Sequence, residues 1–262
     1  PSLWQVLSRP IQSDRLLLEQ LVQRHELSRT QAILVTHSHY DHVLDVPALL
    51  EILPKTAVVG SPSTLNIARA NPKITRQQLQ PVKPGQVQQW GNFQITAIPS
   101  QHTPPTAVND DLGEELLQPF TLPAKFSEFK EGGSFDYLIE HVGYKILVKA
   151  STGFIPEQLQ HLEVDTLFLG IAQLSRQSAA YQQQYLAETL NLLKPKVVIP
   201  VHWDDFFQPL NQPLQFLPRL ADDSPKSLQL LIQAAERQGT KVVLLSGPQP
   251  YLLNAAVASQ SD

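Results

Sequence analysis

Three of the eight histidines of the chain stand within six residues, in the run His37-Ser38-His39-Tyr40-Asp41-His42. Neutral imidazole nitrogens and a carboxylate oxygen are the donors that zinc, iron or manganese take when thiolate is absent. Thiolate is absent here, because the chain has no cysteine. The same lack removes disulfides, CxxC redox chemistry and cysteine nucleophiles, and leaves the redox compartment unread. A solvated polar loop is the plain alternative for such a run. Burying four such groups beside a strand without a cation would leave donors and acceptors unpaired at a cost, so the density of the cluster favours a metal.

Two more histidines occupy comparable positions. His102 comes just after the run Ile95-Thr96-Ala97-Ile98, and His202 just after Val197-Val198-Ile199-Pro200-Val201. Both runs read as strands. Strand ends in an α/β protein gather at a sheet edge, where sites are usually built. Taken singly, either histidine is as well explained by packing; beside the cluster, both become candidate ligands.

The elements that must position these residues follow from the apolar pattern. Leu16, Leu17, Leu21 and Val22 mark an amphipathic helix. Ala32-Ile33-Leu34-Val35 is too short for a helix and reads as a buried strand, and 46–53 reads as a helix with Asp45 as N-cap and Pro47 in its first turn. The cluster therefore occupies a strand-to-helix loop. Further along, Ala57-Val58-Val59-Gly60 is a strand, Ser61 caps a helix through Ala70, and Gly91-Asn92 turns a hairpin that delivers His102. A second hairpin turns at Val142-Gly143 between 134–140 and 145–149, and a helix is expected over 156–162. Strands at 166–169, 197–201 and 241–245 alternate with helices at 179–193 and 227–238. The Pro- and acid-rich stretch 103–133 carries Phe120, Phe126 and Phe129, which suits either a flap over a site or a packed surface excursion.

Composition narrows the partners. With 262 residues, 42% of them hydrophobic, the chain has enough apolar material for a substantial core. A net charge of −4 gives no basic excess for a phosphate backbone, so no nucleic acid is expected. No run approaches the roughly 18 to 20 apolar residues that span a bilayer, and no transmembrane segment is expected. Methionine is absent even at position 1, so the expectation is a native start lying upstream. The chain should be soluble, and cytoplasmic unless a leader has been removed. Several residues keep plain readings: His25 and His161 on polar helical faces, His141 exposed at a hairpin turn, Lys125, Lys130 and Lys149 as solvated surface. Trp203, Asp204 and Asp205 read as either a pocket rim or packing.

The pattern His37-x-His39-x-Asp41-His42 with His102 and His202 downstream resembles the signature of the metallo-β-lactamase fold hydrolases, over 33–243. It is most similar to the branch that includes ascorbate-6-phosphate lactonase and the N-acylphosphatidylethanolamine phospholipase D type enzymes. The resemblance implies an α/β fold, a four-layer αββα sandwich, as a single domain over 1–262 with 103–133 as a candidate flap. It implies a first metal held by His37, His39 and His102 and a second held by Asp41, His42 and His202. Zn2+ is the expected cofactor, as one or two ions, with Mn2+ or Fe as alternatives. The implied activity is hydrolysis of an ester, lactone or phosphodiester bond by metal-bound hydroxide, with Asp41 as second-metal ligand or general base. The substrate is expected to be a small molecule, and the aromatic stretch suggests that it has an apolar part.

The chain departs from the family pattern in two places. Family members place a metal-bridging Asp in an Asp-Thr-Gly segment, and Ser151-Thr152-Gly153 stands there instead. Family members also open with strands, whereas largely non-strand residues precede Ile33. Ser151 supports the alternative of a non-catalytic metal-binding or scaffold protein with a degenerate second site; six retained ligand candidates oppose it.

Overall fold

The computed structural model describes residues 1–106, 110–209, 211–247 and 251–253. Residues 107–109 of the candidate flap, and 210, 248–250 and 254–262 of the expected single domain, lie outside the described residues. The chain forms two compact units: Pro1–Gln86 with Pro105–Phe135, and Val87–Pro104 with Asp136–Asp262.

The first unit is built on a short parallel sheet. After helices α1 (Leu3–Ser8) and α2 (Arg15–Arg24) come β1 (Ala32–Leu34), α3 (Tyr40–Val43), α4 (Val46–Ile52), β2 (Ala57–Gly60), α5 (Pro62–Ala68) and β3 (Leu79–Pro81). The sheet order is β1-β2-β3, with Ala32 opposite Ala57 and Val58 opposite Leu79. The middle strand is buried along its whole length, as expected for an apolar run covered on both faces. In α2 the buried face is Leu18 and Val22, while Leu16 is exposed, so the core-facing stripe is rotated from the expected one. Asp45 does precede α4, with Pro47 in its first turn, although its side chain makes no cap hydrogen bond. Ser61 caps α5 by accepting the Thr64 N–H at 3.3 Å.

Most of the stretch 103–133 packs into this same unit. Ile11 and Ala124 form a β-bridge, Phe129 is 1% exposed, and Phe120 lies 4.7 Å from Phe129. Phe129 is thus a core residue, which leaves Phe120 and Phe126 as the half-buried aromatics of the stretch.

The second unit is built on a mixed sheet in the order β10-β9-β8-β7-β6-β5-β4. Its hairpins are β4 (Val87–Trp90) with β5 (Phe93–Ser100), and β6 (Ser134–His141) with β7 (Tyr144–Lys149). The second hairpin turns with Val142 and Gly143 at φ 51° and 79°, the left-handed pair that a tight two-residue turn demands. Then follow β8 (Thr166–Gly170), α6 (Ala179–Leu186), β9 (Val197–Val201), α7 (Ser224–Gln238) and β10 (Lys241–Val242). Strands β7 to β10 run parallel. Leu147, Leu167, Leu169, Tyr185, Leu190 and Leu231 centre the core.

Several expectations are corrected here. The helix expected over 156–162 does not form, because Glu157 and His161 sit at φ 62° and 90° and break the α-helical path. The helix starting at Ala179 widens to a π-helical turn over Ala187–Asn191. Lys149 is not solvated surface: it is 1% exposed and pairs with buried Asp136 at 3.2 Å. His141 stacks on Phe93 at 4.5 Å rather than lying exposed, while of the two readings open for Trp203 it is packing that holds, since it lies in the core. Among the described residues no helix is long and apolar enough to cross a membrane.

Candidate metal centre

In the first unit the histidine loop leaves β1 under tight main-chain control. The N–H of Val35 donates to Val59 O, continuing the sheet past β1, and the Thr36 carbonyl accepts the Phe135 N–H at 2.8 Å. Ser38 is fully buried; its hydroxyl lies 2.8 Å from Thr64 Oγ1 and its N–H donates to the Glu131 carbonyl at 2.8 Å. His39 then caps α3, so that Asp41 and His42 fall in that helix's only turn. A strand's period of two would place His37, His39 and Asp41 on one face and turn His42 away, whereas the helical turn entered at Tyr40 lets His42 join them.

The four donors of the loop converge accordingly. A ring nitrogen of His37 lies within 4.8 Å of one on His39, and a carboxylate oxygen of Asp41 lies within 4.8 Å of a ring nitrogen of His42. The His37 ring is 5.0 Å from His39 and 3.9 Å from His42, centre to centre. His37 is 2% exposed. A cation with bonds of about 2.1 Å holds its ligands within roughly 4 Å of one another, so the spacing and the nitrogen and oxygen donors of these pairs fit a divalent ion. Burial, reinforced by the Asp41 charge, pushes the Tyr40 hydroxyl well above its usual pKa, so Tyr40 stays protonated.

His39 has an oriented ring. Its Nε2 lies 3.0 Å from Oδ1 of Asp111, both side chains being 13% exposed. A carboxylate can only accept, so Nε2 carries the proton and the lone pair of the neutral ring falls on Nδ1. Sequence reasoning missed Asp111, which is one acid in a Pro- and acid-rich stretch with no spacing relation to the histidines.

The second unit carries the remaining candidates singly. His102 follows β5, and its Nδ1 donates to the Thr103 carbonyl at 3.0 Å, which leaves the lone pair on Nε2. The Ser151–Gly153 loop after β7 packs on this segment. Thr103 Oγ1 accepts the Thr152 N–H at 3.2 Å and its hydroxyl at 2.9 Å. A Cβ on Gly153 would fall 2.0 Å from the His102 carbonyl oxygen, an approach only glycine permits. Ser151 is 8% exposed, and its carbonyl accepts from the Tyr185 hydroxyl at 3.4 Å. His202 follows β9 at φ 59°, a left-handed conformation that a non-glycine residue adopts at a cost of about 1 kcal/mol or more. The Phe206 ring meets the His202 ring edge-on at 5.2 Å, with Phe207 4.5 Å beyond.

Beneath this edge lies a charge pair that uses no exposed surface. Lys149 Nζ donates to Ser100 Oγ at 2.9 Å and to Asp136 Oδ2 at 3.2 Å. Burial pushes the Asp136 carboxyl up, and the Lys149 ammonium pulls it back.

Comparison with known proteins adds three results. Residues 6–203 match the family described as "Beta-lactamase superfamily domain". A UPF0173 metal-dependent hydrolase from Polaromonas sp. is 28% identical over 209 residues, which is 78% of this chain and 71% of that protein. Among solved structures, the metallo-beta-lactamase fold protein YhfI from Bacillus subtilis gives a TM-score of 0.54 at 12% identity, covering 92% of this chain and 83% of YhfI. CmlA, a diiron beta-hydroxylase from Streptomyces venezuelae, gives 0.55 at 16% identity, covering 84% of this chain and 44% of CmlA. At such identities the two structures speak for the fold alone, and the expected metallo-β-lactamase fold is borne out.

Proposed function

Because the chain belongs to the beta-lactamase superfamily domain family, we propose that it is a metal-dependent hydrolase that cleaves an ester, lactone or phosphodiester bond of a small molecule. The observation that carries the reading is the convergence of His37, His39, Asp41 and His42 on one loop of the first unit. By the resemblance, His37, His39 and His102 would hold a first ion, and Asp41, His42 and His202 would hold a second. Zinc suits these donors, with manganese or iron as the competing ions.

When bound, such an ion acidifies a water and polarises the oxygen of the bond under attack. The chain's own groups supply the rest. The protons on Nε2 of His39 and Nδ1 of His102 are held by Asp111 and by the Thr103 carbonyl, so each ring offers one defined nitrogen. Asp41 sits in the first turn of α3, where its carboxylate would serve either as a ligand of the second ion or as the general base that orients the attacking water and takes its proton. Ser151 stands where the family places its bridging acid, so the second ion would be held more weakly than the first, with water in place of the acid, or not at all. The half-buried Phe206 and Phe207 beside His202 give an apolar part of the substrate a surface to rest on.

The test is elemental analysis of the untagged chain purified without chelators, followed by assays on aryl phosphodiesters and lactones. The expected result is one to two equivalents of zinc, activity lost on chelation, and turnover in Asp41→Ala reduced at least about 1,000-fold with the fold intact. Metal content near zero that added zinc, manganese or iron fails to raise would overturn the reading. Full activity in Asp41→Ala would remove Asp41 from the chemistry.

A further inference from the structure

The first unit holds a polar cluster of which the proposed chemistry uses only the contact of Asp111 with His39. Asp111 does more than meet His39. Its second oxygen, Oδ2, accepts the Glu131 N–H at 3.1 Å. The Glu131 carboxylate, in a residue 4% exposed, accepts in turn the N–H groups of Gly113 and Gly133 at 2.9 and 3.0 Å, and the Ser134 hydroxyl. The Glu131 carbonyl accepts from Ser38, the neighbour of His39. Gly132 completes the fastening: it sits at φ 70°, and a Cβ there would fall 2.5 Å from the Ser63 Cβ.

We infer that Asp111 is a positioning residue: its carboxylate fixes the ring of His39 for metal binding and thereby couples metal occupancy to the order of the 110–133 stretch. The inference rests on the metal site proposed above. A cover that only excludes water has no need of a carboxylate held at both oxygens, one on a ligand ring and one on the main chain. An ordinary surface ion pair would stand in solvent, whereas both partners here are largely buried. The negative charge behind the ring raises the basicity of the opposite nitrogen, and loss of such an outer partner costs about 10- to 100-fold in metal affinity. Coupling is reciprocal, so an ion that needs the ring fixed must also tighten the segment that fixes it.

The experiment uses the full chain and zinc as the probe, with no activity assay. Zinc affinity is measured against a competing chromophoric chelator for wild type, Asp111→Ala and Asp111→Asn, and hydrogen exchange is followed at the amides of Gly113 and Gly133 with and without zinc. The expected result is about 10- to 100-fold weaker binding in Asp111→Ala, a smaller loss in Asp111→Asn, and slower exchange of both amides in zinc-loaded wild type. A purely structural Asp111 would lower thermal stability and leave affinity unchanged. Folded Asp111→Ala with wild-type affinity overturns the inference. Should Asp111→Ala fail to fold, wild-type affinity in Asp111→Asn, or exchange at Gly113 and Gly133 indifferent to zinc, overturns it equally. Wild type that binds no zinc, manganese or iron brings down the proposed function, and this inference with it, before any variant is compared.

Discussion

In the first unit four candidate donors share the loop after β1 and the single turn of α3, held by hydroxyls, by the Glu131 carbonyl and by the Asp111 carboxylate. In the second unit His102 and His202 arrive one at a time, each after its own strand, and the loops carrying them are held by close backbone approach, by a left-handed residue and by a buried ion pair. The first arrangement depends on local sequence and can be written into a single motif. The second depends on the register of strands far apart in the chain, so its cost is met by the fold rather than by neighbours.

This contrast is tested most sharply by deleting one donor from each side. His37→Ala and His102→Ala should each lower turnover at least about 1,000-fold, and each should lower zinc content in elemental analysis. If His102→Ala retains activity while His37→Ala loses it, the loop suffices and the second unit's histidine is a packing residue.

The next largest effect lies in the ion pair beneath the second unit's edge. Lys149→Met leaves Asp136 buried without its counter-charge, and urea unfolding should show a loss of about 3–5 kcal/mol at neutral pH. The loss should carry a specific pH dependence. A carboxyl whose folded pKa is raised above its unfolded value contributes stability that is full below the unfolded pKa and lost as pH rises through the folded one. Lys149→Met should therefore be nearest to wild type in acid and fall away toward neutrality. Adding Asp136→Leu should restore stability to within about 1 kcal/mol of wild type; no recovery would mean the pair is not the element that matters.

Gly153→Ala tests the backbone approach. Its Cβ must displace the His102 carbonyl, which is backbone and has little room to give, so a loss of about 1–3 kcal/mol is expected together with weaker zinc binding. A mutant with unchanged stability would show that this edge adjusts and is not rigidly built.

The smallest effect belongs to a surface network in the first unit. Glu51 accepts from Lys73, Arg15 and Asn71, which hold its pKa down at about 2. A depressed carboxylate contributes stability that is present above its unfolded pKa and lost as pH falls through the folded value. Glu51→Gln should lower the melting temperature by less than about 3 °C at neutral pH, with the difference vanishing toward pH 2. A larger shift would mean that exposed charge contributes as much as the buried pair.

Much of this was legible from residue order. The loop position of the histidine cluster, the Ser61 cap and both hairpin turns follow from local pattern, because apolar runs, caps and left-handed turn residues act over a few neighbours. The His-x-His-x-Asp-His run is legible for the same reason. The failures have a physical cause as well. A helix over 156–162 satisfies local propensity, yet Glu157 and His161 take left-handed conformations there. Lys149 looks like surface in a chain with scattered lysines, and only the register of β7 against its neighbours buries it beside Asp136.

The sequence by itself determined the donor chemistry: with no cysteine and a compact histidine cluster, a bound metal must be held by nitrogen and oxygen. Only the tertiary structure decided what stands behind those donors. Asp111 is 72 residues from His39 along the chain and shares no motif with it. Contacts of that kind come from burying apolar surface around distant segments, an effect without direction or sequence range, and they appear only once the whole unit has closed.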